Sequence, residues 1–188
     1  MQARYLTAAE LQGLEKALGA AWLPLKVARL TGMRIGDVLK IREEDLTPQG
    51  VVFEAEKTGK RGFAALPPEV LRALQRQSRW GWCFPSPKAR GKHLTRQAAW
   101  QRLKRGAKLA RVDLAGASPH ALRKSYAVEL LREQGLGAVQ RALQHERADV
   151  TELYALADWS TGENADKPLL RRDLLRIATK IAELLKGS

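Results

Sequence analysis

Apolar positions recur at helical spacing through most of this chain, and strand-like spacing is confined to one short stretch. Thr7 and Glu10 form a capping box ahead of "AELQGLEKAL", which predicts a first helix. After Pro24, "LKVARLTG" predicts a second helix with Gly32 as its stop, and "RIGDVLKI" resumes helical spacing through Ile35, Val38, Leu39 and Ile41. "GVVFEAEKTGKRGFAALP" then reads as two short β runs. The polar loop Lys57-Thr58-Gly59-Lys60-Arg61-Gly62 joins them into a hairpin.

"PPEVLRALQRQ" is a helix opened by proline, and "WGWCFPSP" reads as a buried aromatic stretch ended by prolines. In "LTRQAAWQRLKRGAKLAR" the apolar Ala99, Leu103 and Ala107 recur every fourth residue of a basic helix. "SPHALRKSYAVELL" opens on Ser118 as N-cap and Pro119 as first helical residue, and Gly135 closes it. Short helices are expected around "GAVQRALQH" and "DVTELYALAD". Residues 160–168, "STGENADKP", have the composition of a linker. A last helix over 169–186 carries Leu170, Leu174, Ile177, Ile181 and Leu184 as one stripe. The pattern predicts a mainly α fold with a small antiparallel β-sheet (α+β).

Charge adds a partner class. Lys and Arg number 33 against 20 Asp and Glu, a formal charge of +13 in 188 residues. Such an excess points to a polyanion. Its spread along the chain, rich in Arg, favours nucleic acid over a membrane surface. No apolar run approaches the ~20 residues of a transmembrane helix, and the N-terminus lacks a signal-peptide pattern. Cys83 is the sole cysteine, which excludes an internal disulfide and a cysteine-rich metal site. A cytoplasmic setting fits, and no cofactor or metal is expected.

The candidate chemistry begins at the start of the 119–134 helix, where His120 and Arg123 lie one turn apart beside backbone N–H groups that attract anions. Arg34 follows a Thr-Gly break, Lys57 lies in the hairpin loop, His145 ends a short helix, and Tyr154 falls nine residues later. Each alone is unremarkable. In order, "TGMRIGDVL", "KTGK", "HALR", "LQH" and a following tyrosine resemble the tyrosine recombinase (phage integrase) family over roughly residues 5–186.

The resemblance implies that family's catalytic-domain fold for 1–188 and six catalytic residues. Arg34 would be the first arginine and Lys57 the hairpin lysine. His120 and Arg123 would form the His-x-x-Arg box, His145 would take the second His/Trp position, and Tyr154 would be the nucleophile. Asp37 stands where Glu is more usual, Gln144 where Gly is usual, and Lys124 where His is frequent. The family normally has a core-binding domain before this region. The sequence begins almost where the catalytic domain would, so a piece of a longer protein or a naturally short member is expected.

The residue types suit phosphoryl transfer. Paired guanidiniums can stabilise negative charge growing on non-bridging phosphate oxygens, with His145 as a further donor. A tyrosine of ordinary pKa about 10 needs a base or a cationic site to attack. His120 is the expected base and Lys57 the proton donor to the leaving 5′ oxygen, giving a 3′-phosphotyrosyl link. Lys60, Arg61, Lys88, Arg90, Lys92, Arg96, Arg102, Lys104, Arg105 and Lys108 are candidate phosphate contacts, which give affinity without base identity. Trp80, Trp82, Trp100 and Tyr126 are expected in the core, and His93 at the surface.

The partners so implied are a double-stranded DNA attachment site and other protomers of a synaptic oligomer. The 169–186 helix is a candidate element for exchange between protomers, and accessory DNA-bending proteins are a further class the resemblance admits. Type IB topoisomerase-like relaxation and a basic DNA-binding regulator without chemistry are the alternatives.

Overall fold

A computed structural model describes residues 6–114 and 119–134. His145, Tyr154, Ser118, the 160–168 segment and the 169–186 helix lie outside the described residues. The chain divides into two units, Met1–Tyr126 and Ala127–Ser188, and the core described below belongs to the first.

Helix α1 (Ala8–Leu18) starts with the capping box read from the sequence. The Glu10 N–H donates to Thr7 Oγ1 at 3.3 Å, and the Thr7 N–H donates to the Glu10 carboxylate at 2.8 Å. Two N–H groups that the helix itself cannot satisfy thereby find partners. A 3₁₀ turn, Gly19–Trp22, leads into α2 (Leu23–Thr31), whose amphipathic stripe buries Leu25, Val27 and Ala28. Gly32 ends α2 at φ 67°, a left-handed conformation easy for glycine, and its N–H closes on the Ala28 carbonyl at 3.0 Å. Extended Arg34 then caps α3 (Ile35–Leu39).

Helical spacing suggested that Ile41 continues α3, but the helix stops at Leu39. Ile41 is buried in the apolar cluster from a stretch outside the helix, where its carbonyl accepts the Cys83 N–H at 3.0 Å. The sheet is antiparallel in the order β1 (Leu46–Thr47), β2 (Gly50–Glu54), β3 (Arg61–Ala65). Two of these strands were predicted. Two residues of β1 are too few for alternation to register. On β2, Val51 points into the core, while Val52 faces Phe63 across the exposed side of the sheet.

Helix α4 (Pro68–Gln77) buries Val70, Leu71 and Leu74. The aromatic stretch after it is not uniformly buried. Cys83 and Phe84 are in the core, but Trp80 is exposed and Trp82 half-buried. Arg79 and Trp82 exchange two backbone hydrogen bonds of 3.0 Å around Trp80 and Gly81, both at positive φ. That is a type I′ turn, and a residue at its corner projects outward. Trp82 meets the His93 ring edge-on at 5.0 Å and lies under the Arg42 guanidinium at 4.5 Å, so His93 is partly buried rather than a surface residue.

Helix α5 (Arg96–Ala110) is capped by Thr95 and buries Ala99, Leu103 and Ala107, the three positions read from its spacing. It packs closely on α1. A Cβ at Gly106 would lie 2.6 Å from Leu18 Cγ, so glycine sets the approach of the two helices. Helix α6 (Pro119–Gln134) sends Ala121 and Leu122 into the same core. The Ser125 hydroxyl on α6 accepts the Leu6 N–H at 2.8 Å and lies within donating distance of the Leu6 and Ala121 carbonyls. This bond fixes the start of the described chain to α6.

Leu103→Ala and Leu109→Ala separate core from surface on one helix. Leu103 is fully buried and Leu109 is 61% exposed. Urea unfolding should show a loss of about 2–5 kcal/mol for the first and a change within about 0.5 kcal/mol for the second.

Candidate active site

The described catalytic candidates stand on three elements that meet through side-chain-to-backbone bonds. Arg34 is the extended N-cap of α3, where its carbonyl accepts the Asp37 and Val38 N–H groups at 2.9 and 3.0 Å. The cap therefore holds the Arg34 backbone firmly. Arg123 lies one turn after His120 on α6 and is 7% exposed. Its Nη1 donates to the Gly32 carbonyl at 2.5 Å. Two residues of chain span at most about 7 Å, so Arg123 is anchored to the very turn that delivers Arg34. From the sequence, Gly32 is only a helix stop.

Lys57 is exposed in the turn between β2 and β3. That turn is closed by the Ala55 N–H on the Lys60 carbonyl (2.9 Å) and by the Thr58 and Gly59 N–H groups on the Ala55 carbonyl (3.1 and 2.8 Å), with Gly59 at φ 65°. Asp37, buried on α3, accepts the Glu56 N–H at 3.1 Å. The carboxylate three residues after Arg34 thus reaches across to the residue that precedes Lys57. A second bond set, absent from the sequence reading, starts at the Glu56 side chain. It pairs with Lys40 at 2.9 Å and Arg96 at 3.3 Å. The acidic residue just before Lys57 was its available signal.

Environment also bears on two nucleophilic side chains that were not candidates, Cys83 and Tyr126. Burial pushes the Cys83 thiol up to about 11, which keeps it protonated and inert at neutral pH. Tyr126 is half-buried on α6, and burial raises its phenol above the ordinary value, with the nearby Arg123 charge opposing that shift. Neither is activated.

The candidate phosphate contacts divide in two. Lys60, Arg61, Lys92 and Arg105 are exposed. Arg96 is exposed but pairs with Glu56, and Arg102 is partly buried, with its guanidinium pKa lowered by that burial. Trp100 packs partly buried against the core, under the Lys104 ammonium at 5.7 Å.

The sequence model of the Phage integrase family matches residues 4–160, a span that contains all six candidate positions. The chain belongs to the phage integrase family. Among its relatives, the tyrosine recombinase XerD of Vibrio cholerae is 29% identical over 143 residues, covering 69% of this chain and 47% of that protein. XerD of Proteus mirabilis is 30% identical over 143 residues, covering 69% and 45%. The chain thus spans about half the length of the curated relatives it matches.

Solved recombinase and integrase structures share the fold. The XerH recombinase bound to palindromic difH substrate superposes with a TM-score of 0.73 at 20% identity, covering 88% of this chain and 53% of that one. A lambda integrase (75–356) dimer on a COC′ core site gives 0.72 at 20%, covering 91% and 64%. The catalytic domain of bacteriophage HP1 integrase gives 0.62 at 17%, and all of it is matched by 90% of this chain. The expected mainly α fold with a small antiparallel sheet is the one observed.

The pairing at Glu56 has a pH signature. Its carboxyl titrates below the ordinary 4.5, chiefly because Lys40 donates to it and adds its charge, with Arg96 contributing less. A lowered folded-state value means that the pairing is in place above the ordinary carboxylate range and is lost as pH falls through the lowered value. A carbon-13 NMR titration should place the Glu56 midpoint below 4.5, and Lys40→Met should move it upward.

Proposed function

We propose that the chain is the catalytic domain of a site-specific DNA recombinase that cleaves and rejoins strands through Tyr154. The observation that carries this reading is the anchoring of Arg123 on the Gly32 carbonyl, two residues from Arg34. It supports a shared phosphate site for both guanidiniums. Membership of the phage integrase family, with recombinases named among its relatives and fold neighbours, supports the rest.

In the proposed reaction the scissile phosphate sits between Arg34 and Arg123, and His145 adds a donor. Rigid donors aimed at charge that grows during attack stabilise the transition state most. The Tyr154 hydroxyl attacks phosphorus and gives its proton to His120, the P–O5′ bond breaks, and Lys57 protonates the departing 5′ oxygen. One phosphodiester becomes a 3′-phosphotyrosyl ester and one 5′-hydroxyl is released. Because the bond count is unchanged, another strand's 5′-hydroxyl can reverse the step. Asp37, already bonded to the hairpin backbone, braces Lys57 against α3. The shifts at Tyr126 and Cys83 speak against either as a substitute nucleophile.

Double-stranded DNA carrying an attachment site is the proposed substrate, within the cytoplasm and its nucleoid. Exposed Lys60, Arg61, Lys92 and Arg105 suit its phosphates. Arg96 and Arg102 serve less directly, since one is paired and the other partly buried. Other protomers are proposed partners through 169–186, with 160–168 as the connecting linker and DNA-bending proteins as accessories. The lambda integrase neighbours are a dimer on a core site and a tetramer bound to a Holliday junction.

Incubation on nicked, labelled attachment-site DNA, followed by a denaturing gel, tests the chemistry. The wild type should form a covalent protein–DNA band and Tyr154→Phe none. Arg123→Lys keeps the charge but loses the planar fork, and should slow adduct formation by about 100-fold or more. Salt-sensitive binding with no adduct would instead support a DNA-binding regulator.

A further inference from the structure

We propose that Glu56 is a positioning residue for Lys57, holding the hairpin turn so that the lysine ammonium reaches the leaving oxygen. This rests on the reading of Lys57 as the proton donor. Three bonds leave the turn at Glu56 toward other elements. Its N–H donates to Asp37 on α3 at 3.1 Å, Oε1 pairs with Lys40 just after α3 at 2.9 Å, and Oε2 pairs with Arg96 at the start of α5 at 3.3 Å. Backbone and both carboxylate oxygens are thus fixed to separate points of the scaffold. The next Cα, that of Lys57, lies about 3.8 Å away.

Stability does not account for this arrangement. The Glu56 side chain is 46% exposed, Lys40 44% and Arg96 68%, and ion pairs at such exposure add little to folding. What they add is orientation, because two cations from different elements pull on the two oxygens of one carboxylate. Gly36 in α3 makes room for this: a Cβ there would lie 3.1 Å from Arg96 Nε, crowding the guanidinium that reaches Glu56. An exposed lysine otherwise has several rotatable bonds and swings from a turn closed only by its own backbone bonds. A proton donor contributes only when it is held within hydrogen-bond reach of the leaving atom.

A leaving-group substitution distinguishes positioning of the acid from general damage. Single-turnover cleavage by the full chain is compared on nicked DNA whose scissile 5′ bridging atom is oxygen or sulfur. A thiolate leaves without protonation, so sulfur bypasses the acid. Glu56→Ala should slow the oxygen substrate by about ten-fold yet cut the sulfur substrate within about two-fold of wild type. Glu56→Gln, nearly isosteric but uncharged, should show the same pattern, and Lys57→Ala a larger loss with the same recovery.

If Lys57→Ala recovers with sulfur while the Glu56 variants match wild type on oxygen, or are slowed equally on both substrates, the proposal is overturned alone. If sulfur fails to recover Lys57→Ala, the acid reading falls and takes the proposal with it. A wild-type chain that cuts neither substrate overturns both and the strand-cleavage reading beneath them.

Discussion

A guanidinium withdrawn from water is tolerated only where protein groups take its N–H bonds, since an unpartnered buried charge costs several kcal/mol. Arg123 is in that position, 7% exposed on α6, with the Gly32 carbonyl 2.5 Å from one nitrogen across 91 residues of sequence. The bond ties together two demands. Gly32 must adopt its left-handed turn to end α2, and the carbonyl of that turn is the group that steadies the arginine. The path that closes one helix therefore also orients a cation from another, and it emerges at Arg34. Folding and the proposed chemistry share the same few atoms here.

From that link the remaining geometry follows outward. Arg34 caps α3, α3 buries Asp37, Asp37 holds the Glu56 N–H, and Glu56 precedes Lys57. Each step is a short-range bond with little slack. In the proposed reaction the phosphate meets an Arg123 already oriented by the Gly32 carbonyl, which limits reorganisation as charge develops during attack. The helical core behind it is conventional. α1, α2, α5 and the first half of α6 bury one continuous apolar cluster, and Gly106 lets α1 and α5 approach closely.

Much of this was legible in the sequence because local rules and tertiary packing agree. The Thr7–Glu10 box, the Gly32 stop, the Ala99–Leu103–Ala107 stripe and the Lys57 hairpin all appear where spacing places them. Pattern failed where burial came from non-local pairing. Ile41 is buried from a stretch that pairs with Cys83 rather than from a helix, and two-residue β1 exists only by its pairing with β2. Trp80 looked like core because aromatic residues usually are, but the I′ turn formed with Gly81 turns it outward. At the site, residue types and order supply Arg34, Lys57, His120 and Arg123 as candidates. The Gly32 carbonyl has no sequence signature, and the Lys40–Glu56–Arg96 cluster showed only its acidic residue, because Glu56 and Arg96 lie 40 residues apart.

The central claim is that a tyrosine beyond the described core, brought to a phosphate clamped by Arg34 and Arg123, becomes covalently bonded to DNA. Mass spectrometry of the trapped adduct, after nuclease and trypsin digestion, tests it most directly. The account predicts a nucleotide-modified peptide containing Tyr154, with its phosphate on the 3′ side of the nucleotide. Modification at Tyr126 or another residue, or a phosphate retained on the 5′ side, would contradict it.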